Sequence, residues 1–266
     1  MQPKRKAKKG WVFPGFSHHE GTAPRSAWPW VVFLGMLYPL RFEPVYLTKI
    51  WGGEHLSQEL GRNLAGKNQI GESWELSGVE GQVSVVSDGP LVGKNLDDLV
   101  ERYGADLLGH RVMAVHGDRF PLLFKLLSTA QDLSLQVHPN DEQAERMVGK
   151  GALGKTEMWV ILGAEPGACL YNGFVVGYDG QDLAERIRSG RLMEVVHRTE
   201  VKPGDVFYIP AGRVHTIGAG LLLAEIQTIQ SQLVSKDSYV EFLGVMACQY
   251  DLSITRNFRD ELHEGL

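Results

Sequence analysis

The sequence has few cysteines and no long apolar run, and each absence argues against a class of protein. Cys169 and Cys248 are the only cysteines in 266 residues, and neither lies in a CxxC or Cys/His spacing. A disulfide framework and a thiolate zinc site are therefore disfavoured, and a reducing compartment, the cytoplasm, is predicted. The apolar run at residues 28–40 has about 13 residues, fewer than the roughly 20 that span a bilayer, so no membrane segment is predicted.

Positive charge is concentrated at one end of the chain. The net charge is −5, although five lysines and arginines lie within residues 4–9, so the rest is more acidic than this total. An acidic body disfavours nucleic acid as a partner and is compatible with a small phosphorylated substrate. Residues 1–37 show no regular pattern, and we expect a disordered or atypical extension there.

From residue 38 onward the chain shows many short alternating stretches. Apolar residues make up 43% and charged residues 22% of the sequence, which is typical of globular proteins. The predicted strands are residues 71–77, 82–86, 122–127, 133–137, 158–162, 206–209 and 221–226. The predicted helices follow Asn95 and cover 141–148 and 181–188, and Trp51–Gly53 is predicted to be a turn. This order predicts an antiparallel β-sandwich or barrel with helical insertions.

The stretch Gln136–Pro139 (QVHP) places two potential metal ligands on one strand face. Side chains two residues apart on a strand point the same way, so the Gln136 amide oxygen and a His138 ring nitrogen approach one point. An ordinary histidine at a strand end is the competing interpretation.

The stretch Lys155–Trp159 (KTEMW) brings a carboxylate into an apolar strand. A buried Glu157 needs a partner, and a metal ion is one such partner. Lys155 shares its face of the strand, so a plain Lys–Glu pair is the alternative.

The stretch Gly204–His215 is the most specific motif. Its spacing is Gly, five residues, Pro, one residue, Gly, two residues, His, which matches the second signature of cupins. Pro210 and Gly212 predict a tight turn, after which His215 begins the returning strand. Together the three motifs supply nitrogen and oxygen donors without a thiolate, which suits a catalytic divalent metal; zinc, manganese and iron all fit these donors.

These motifs, in this order, resemble the type I mannose-6-phosphate isomerases in their shorter bacterial form. The matching stretches are PVYLTKIWGG (44–53), GESWELS (71–77), PLLFKLLSTAQDLSLQVHP (121–139), GKTEMWVIL (154–162) and residues 204–227. The resemblance predicts a phosphomannose-isomerase-like domain over residues 38–227. It implies a mainly β, cupin-type jelly roll with one zinc ion bound by Gln136, His138, Glu157 and His215. It also implies that Lys155 is a catalytic and substrate-binding residue.

The resemblance further implies a reaction. Family members interconvert mannose 6-phosphate and fructose 6-phosphate through a metal-stabilised cis-enediol, so a small sugar phosphate is the implied partner, with no nucleic acid and no membrane. The general base is open between Lys155 and a metal-bound water.

The resemblance ends at Gln227. Residues 228–266 lack the family's block Q-x-S-D-x-T-[YF]-R-x-Y-D-W, and no arginine occurs between Arg213 and Arg256. We therefore expect a divergent or truncated C-terminal segment. The alternative function is a catalytically impaired cupin that binds metal and sugar phosphate. A metal-dependent cupin oxygenase is a third possibility, disfavoured by the amide ligand and the GKTE block.

Overall fold

The computed structural model describes residues 37–64 and 66–229, which form two antiparallel sheets. The strands are β1 (Val45–Gly53), β2 (Ile70–Ser77), β3 (Leu122–Thr129), β4 (Glu157–Ala164), β5 (Cys169–Phe174), β6 (Val196–Glu200), β7 (Val206–Ile209), β8 (His215–Ile217) and β9 (Leu221–Thr228). The helices are α1 (His55–Gln58), α2 (Leu96–Tyr103), α3 (Ala105–Leu108), α4 (His110–His116), α5 (Asp141–Met147) and α6 (Leu183–Arg188), with a 3-10 turn at Leu192–Val195.

The larger sheet has the strand order β1-β2-β3-β9-β4-β7, and the smaller one β6-β5-β8. Leu127, Trp159 and Leu223 from the larger sheet pack in one buried cluster with Leu170 and Ile217 from the smaller. This shared core confirms the predicted mainly β, cupin-type sandwich. None of the helices within the described ranges has the length and apolarity that crossing a bilayer requires.

The central pairing of the large sheet joins distant parts of the sequence. β3 pairs with β9 over its whole length, from Leu122 opposite Thr228 to Thr129 opposite Leu221. β4 lies on the other side of β9, with Trp159 opposite Glu225. Long-range pairing therefore sets which charged side chains of these strands become neighbours.

Local signals placed several elements correctly. The Asn95 side chain accepts a hydrogen bond from the Asp98 backbone N–H, as expected of an N-cap, and α2 follows directly. The helix ends at Tyr103 because Gly104 takes a positive φ of 48°. Gly212 likewise has a φ of 81°, so the turn before His215 is as predicted.

Three predicted elements differ in the structure. Residues 82–86 and 133–137 form isolated bridges rather than strands. The predicted turn Trp51–Gly53 is wrong, since these residues complete β1. A Cβ at Gly52 would collide with the carbonyl of Gln69, so this glycine permits close strand approach instead of making a turn.

The predicted domain limits remain predictions. The extension at residues 1–37 and the segment at residues 228–266 lie outside the described residues, apart from residues 37, 228 and 229.

Candidate metal centre

Two histidines and one glutamate meet at one place in the fold. Ligand atoms of His138, Glu157 and His215 all lie within 4.8 Å of one another. Nε2 of His138 is 3.2 Å from Oε1 of Glu157, and Nε2 of His215 is 3.6 Å from Oε2. Three motifs separated along the sequence therefore converge on one cluster, which we call the triad.

The backbone determines the tautomer of His215. Its Nδ1 lies 2.7 Å from the carbonyl oxygen of Arg213, so Nδ1–H donates a hydrogen bond to that oxygen. Nε2 then carries a lone pair and faces Glu157. A hydrogen bond from the other ring nitrogen to a backbone carbonyl is how proteins orient an imidazole that binds a metal.

Both imidazoles are neutral near neutral pH. Burial lowers the pKa of His138 to about 4, and it lowers the pKa of His215 as well. Nε2 of His138 is buried and has no hydrogen-bond partner among the described residues, although it lies 3.2 Å from Oε1 of Glu157. A buried ring nitrogen without a partner is one that an added cation would satisfy.

Glu157 supplies the negative charge of the triad. Its side chain is 1% exposed, and burial by itself would raise its pKa, but Lys155 together with His138 and His215 outweighs burial and holds the pKa of Glu157 well below its usual range. Nζ of Lys155 is 2.6 Å from Oε1 of Glu157. One carboxylate and two imidazole lone pairs are donors that divalent transition metals accept, so the triad fits a metal ion.

Gln136 lies beside the triad. Its backbone and that of His215 exchange two hydrogen bonds, each 2.8 Å long. Residues that face each other in this way project their side chains from the same side of the sheet. The Gln136 side-chain nitrogen is 3.5 Å from the carbonyl oxygen of Ser134, so its amide is held only weakly.

A cavity of about 150 Å³ opens next to these residues. Gln136, Lys155, Glu157 and His215 contribute to its wall. The structure thus brings all the sequence-predicted site residues to one cavity or to the triad at its edge.

The same cavity has charged residues that the sequence analysis missed. Lys49, Glu72, Lys125 and Glu225 line it and form what we call the charge row. The distances are 3.2 Å from Lys49 Nζ to Glu72 Oε1 and 3.0 Å from Lys125 Nζ to Glu225 Oε1. The available signal was a lone charged residue inside an otherwise apolar strand, as in LLFKLLST and LLLAEIQT.

Arg213, the last arginine before the point at which the family resemblance ends, lies elsewhere. It lines a second cavity, of about 320 Å³, together with Asn172, Phe174 and Tyr178. Arg256 is outside the described residues. Within the described ranges, the cations that line the cavity beside the triad are lysines.

An antiparallel β-sandwich with a His–Glu–His cluster at one cavity defines a metal-binding protein of the cupin type. Residues 40–160 match the family described as phosphomannose isomerase type I, catalytic domain. The chain belongs to the type I phosphomannose isomerase family.

Individual relatives agree with this assignment. The chain is 40% identical over 189 residues to mannose-6-phosphate isomerase ManA of Bacillus subtilis, which covers 71% of this chain and 57% of that protein. It is 35% identical over 192 residues to mannose-6-phosphate isomerase of Streptococcus mutans, covering 72% of this chain and 58% of that protein. The chain therefore spans less than three fifths of the length of these relatives.

A solved structure gives the same picture. The crystal structure of mannose 6-phosphate isomerase from Bacillus subtilis superposes with a TM-score of 0.62 at 36% sequence identity. The superposition covers 72% of this chain and 59% of that one.

Proposed function

We propose that this chain is a zinc-dependent isomerase that interconverts mannose 6-phosphate and fructose 6-phosphate. The observation that carries the proposal is the meeting of two neutral imidazoles, His138 and His215, with an ionised Glu157 beside a cavity that also holds Lys155. The named relatives have this activity in their names. Because the chain spans only part of their length, the site is the main support.

Four residues would hold the zinc ion, namely Gln136, His138, Glu157 and His215. When bound, zinc supplies a Lewis acid that draws electron density from the oxygens of an open-chain sugar. Manganese and iron accept the same donors, so measuring the bound metal distinguishes zinc from them.

Lys155 is the residue that we assign to substrate binding and catalysis. Isomerisation moves a proton from C2 to C1 of the aldose and a hydroxyl proton from O2 to O1, through a cis-enediol. Negative charge develops on the sugar oxygens, and Nζ of Lys155 can donate a hydrogen bond or a proton to them. Its side chain is 11% exposed, so water screens this interaction little.

The impaired alternative finds no support in the described residues. Gln136, His138, Glu157, His215 and Lys155 all precede residue 228, where the resemblance to the family ends. A site that is assembled before that point is compatible with turnover.

The cytoplasm remains the predicted location. Cys169 is buried and free, which agrees with a reducing compartment. Cys248 lies outside the described residues.

A coupled assay for fructose 6-phosphate tests the proposal on protein whose metal content has been measured. We expect one zinc ion per chain, turnover that a chelator removes, and recovery on adding zinc. Lys155→Met should lower turnover about 100- to 1000-fold, the typical cost of one preorganised donor, while keeping its metal. Lys150→Met, at an exposed lysine nearby, is the matched control.

Two outcomes would contradict the proposal. If the wild-type chain binds no metal, the assignment of the metal site is wrong. A chain with stoichiometric zinc but no turnover is the impaired cupin instead.

A further inference from the structure

One indole N–H in the cavity wall is shared between two carboxylates. Nε1 of Trp159 lies 3.0 Å from Oε2 of Glu157 and 3.1 Å from Oε2 of Glu225, and it donates to both. Glu157 precedes Trp159 by two residues on β4, and Glu225 is its direct partner on β9. All three side chains therefore project from the same face of the sheet.

The indole is held rigidly. Trp159 is 1% exposed and packs in the main core cluster with Leu127, Leu170 and Leu223. Its ring also meets the ring of His215 edge to face, with centroids 5.4 Å apart. A residue packed in this way fixes the direction of its N–H group without further support.

The carboxylate of Glu157 needs such support. The terminal torsion of a glutamate is broad, so the two oxygens are not positioned by the side chain itself. In this structure Oε2 accepts from Trp159, whereas Oε1 lies 2.6 Å from Nζ of Lys155 and 3.2 Å from Nε2 of His138. The two carboxylate oxygens of Glu157 thus have different partners, which fixes the orientation of the carboxylate plane.

We propose that Trp159 is a positioning residue for the metal centre. Its N–H fixes the carboxylate of Glu157 for the metal ion and links this carboxylate to Glu225 of the charge row. The inference rests on the proposed metal site and adds to it a residue that is not itself one of the metal ligands. Hydrogen-bond partners of metal ligands typically contribute about 10- to 100-fold to metal affinity.

The chain contains a natural control for this role. Trp74 on β2 also donates from Nε1 to the carboxylate two residues before it, with 2.6 Å to Oε2 of Glu72. The local arrangement repeats that of Glu157 and Trp159, but Glu72 is not one of the triad residues. Removing the N–H from each tryptophan therefore compares two similar hydrogen bonds. One is made to a proposed metal ligand, and the other is made to a carboxylate outside the triad.

The experiment measures zinc affinity by competition with a chromophoric chelator for the wild type, Trp159→Phe and Trp74→Phe. We expect Trp159→Phe to bind zinc about 10- to 100-fold more weakly than the wild type and Trp74→Phe to bind it unchanged. A chain with 3-benzothienylalanine at position 159 keeps the fused ring and loses only the N–H. It should weaken zinc binding as the phenylalanine variant does, and it decides the question if Trp159→Phe does not fold.

The outcomes separate this inference from the proposed function. If the wild type binds no zinc, the metal site itself fails, and the role of Trp159 fails with it. If the wild type binds zinc and the benzothienyl variant binds it equally well, the site stands and the positioning role is overturned. If Trp74→Phe weakens zinc binding as much as Trp159→Phe does, the effect is one of packing, and the positioning role of Trp159 is also overturned.

Discussion

The triad and the charge row solve the problem of buried charge in different ways. The triad joins two neutral imidazoles to the ionised Glu157, with ligand atoms within 4.8 Å of one another. In the charge row, Lys49, Glu72, Lys125 and Glu225 alternate in sign, so opposite charges are already neighbours.

This difference indicates which of the two clusters, the triad or the charge row, requires an added metal ion. In the charge row, burial by itself would lower the pKa of Lys125, but Glu225 and Glu72 outweigh burial and raise it. Burial would raise the pKa of Glu72, yet Lys125, the Trp74 N–H and Lys49 together lower it. Lys125 and Glu72 stabilise each other's charged forms, although burial raises the pKa of Glu225 above its usual range. In the triad, by contrast, Nε2 of His138 is buried without a hydrogen-bond partner among the described residues. A divalent cation therefore fits the triad and not the row.

The largest expected effect comes from removing a triad histidine. His215→Ala and His138→Ala should each lose stoichiometric zinc, because an incomplete ligand set remains. Elemental analysis after dialysis measures the zinc content. His55→Ala is the control, since His55 is also buried but contacts Glu59, with 3.0 Å from Nδ1 to Oε1. Full zinc occupancy in both variants would show that the triad does not bind the metal ion.

Breaking the charge row should lower the stability of the fold and leave the metal ligands in place. Lys125→Met leaves the buried Glu72 and Glu225 without their shared cation and should lower the free energy of unfolding by about 3–5 kcal/mol. Urea unfolding of the metal-free protein measures this. The double variant Lys125→Met with Glu225→Leu should recover much of the loss. A change of less than about 1 kcal/mol in the single variant would contradict the picture of a matched row.

The charge row should also make stability depend on pH. The pKa of folded Glu72 lies below its ordinary value of 4.5, so the unfolded chain binds the proton more readily. The contribution of Glu72 is present above pH 4.5 and is lost as the pH falls through the lower, folded pKa. Unfolding free energies of metal-free protein between neutral and acidic pH should therefore fall less steeply in Glu72→Gln. Identical slopes in the two proteins would show that Glu72 is not stabilised in its charged form.

The smallest effect is expected at the exposed end of the row. The Lys49 side chain is 35% exposed, so water screens its contact with Glu72. Lys49→Met should lower the free energy of unfolding by about 0–1 kcal/mol, and less at high salt. A loss of stability as large as that of Lys125→Met would mean that water does not screen the contact between Lys49 and Glu72.

The sequence motifs identified the triad because each motif also has local structural consequences. Pro210 and Gly212 predicted the turn that precedes His215, and Gly212 has the positive φ that this turn requires. Glu157 was singled out as a carboxylate entering an apolar strand. Lys125 and Glu225 carry the same signal in their own strands, but nothing in either strand shows that they are 3.0 Å apart. Trp51–Gly53 was mistaken for a turn because the close approach of Gln69 to Gly52 is equally invisible in the sequence.

The sequence by itself determined the chemical types at the site: two imidazoles, a carboxylate, an amide and a lysine in three motifs with recognisable turns. Only the tertiary structure decided the charge row and the shared bond of Trp159. These depend on the register of β2, β3, β9 and β4, and a shift of one residue would turn every side chain of a strand to the opposite face. Register is set by long-range packing of apolar side chains such as Leu127 and Leu223, which no single stretch of sequence contains.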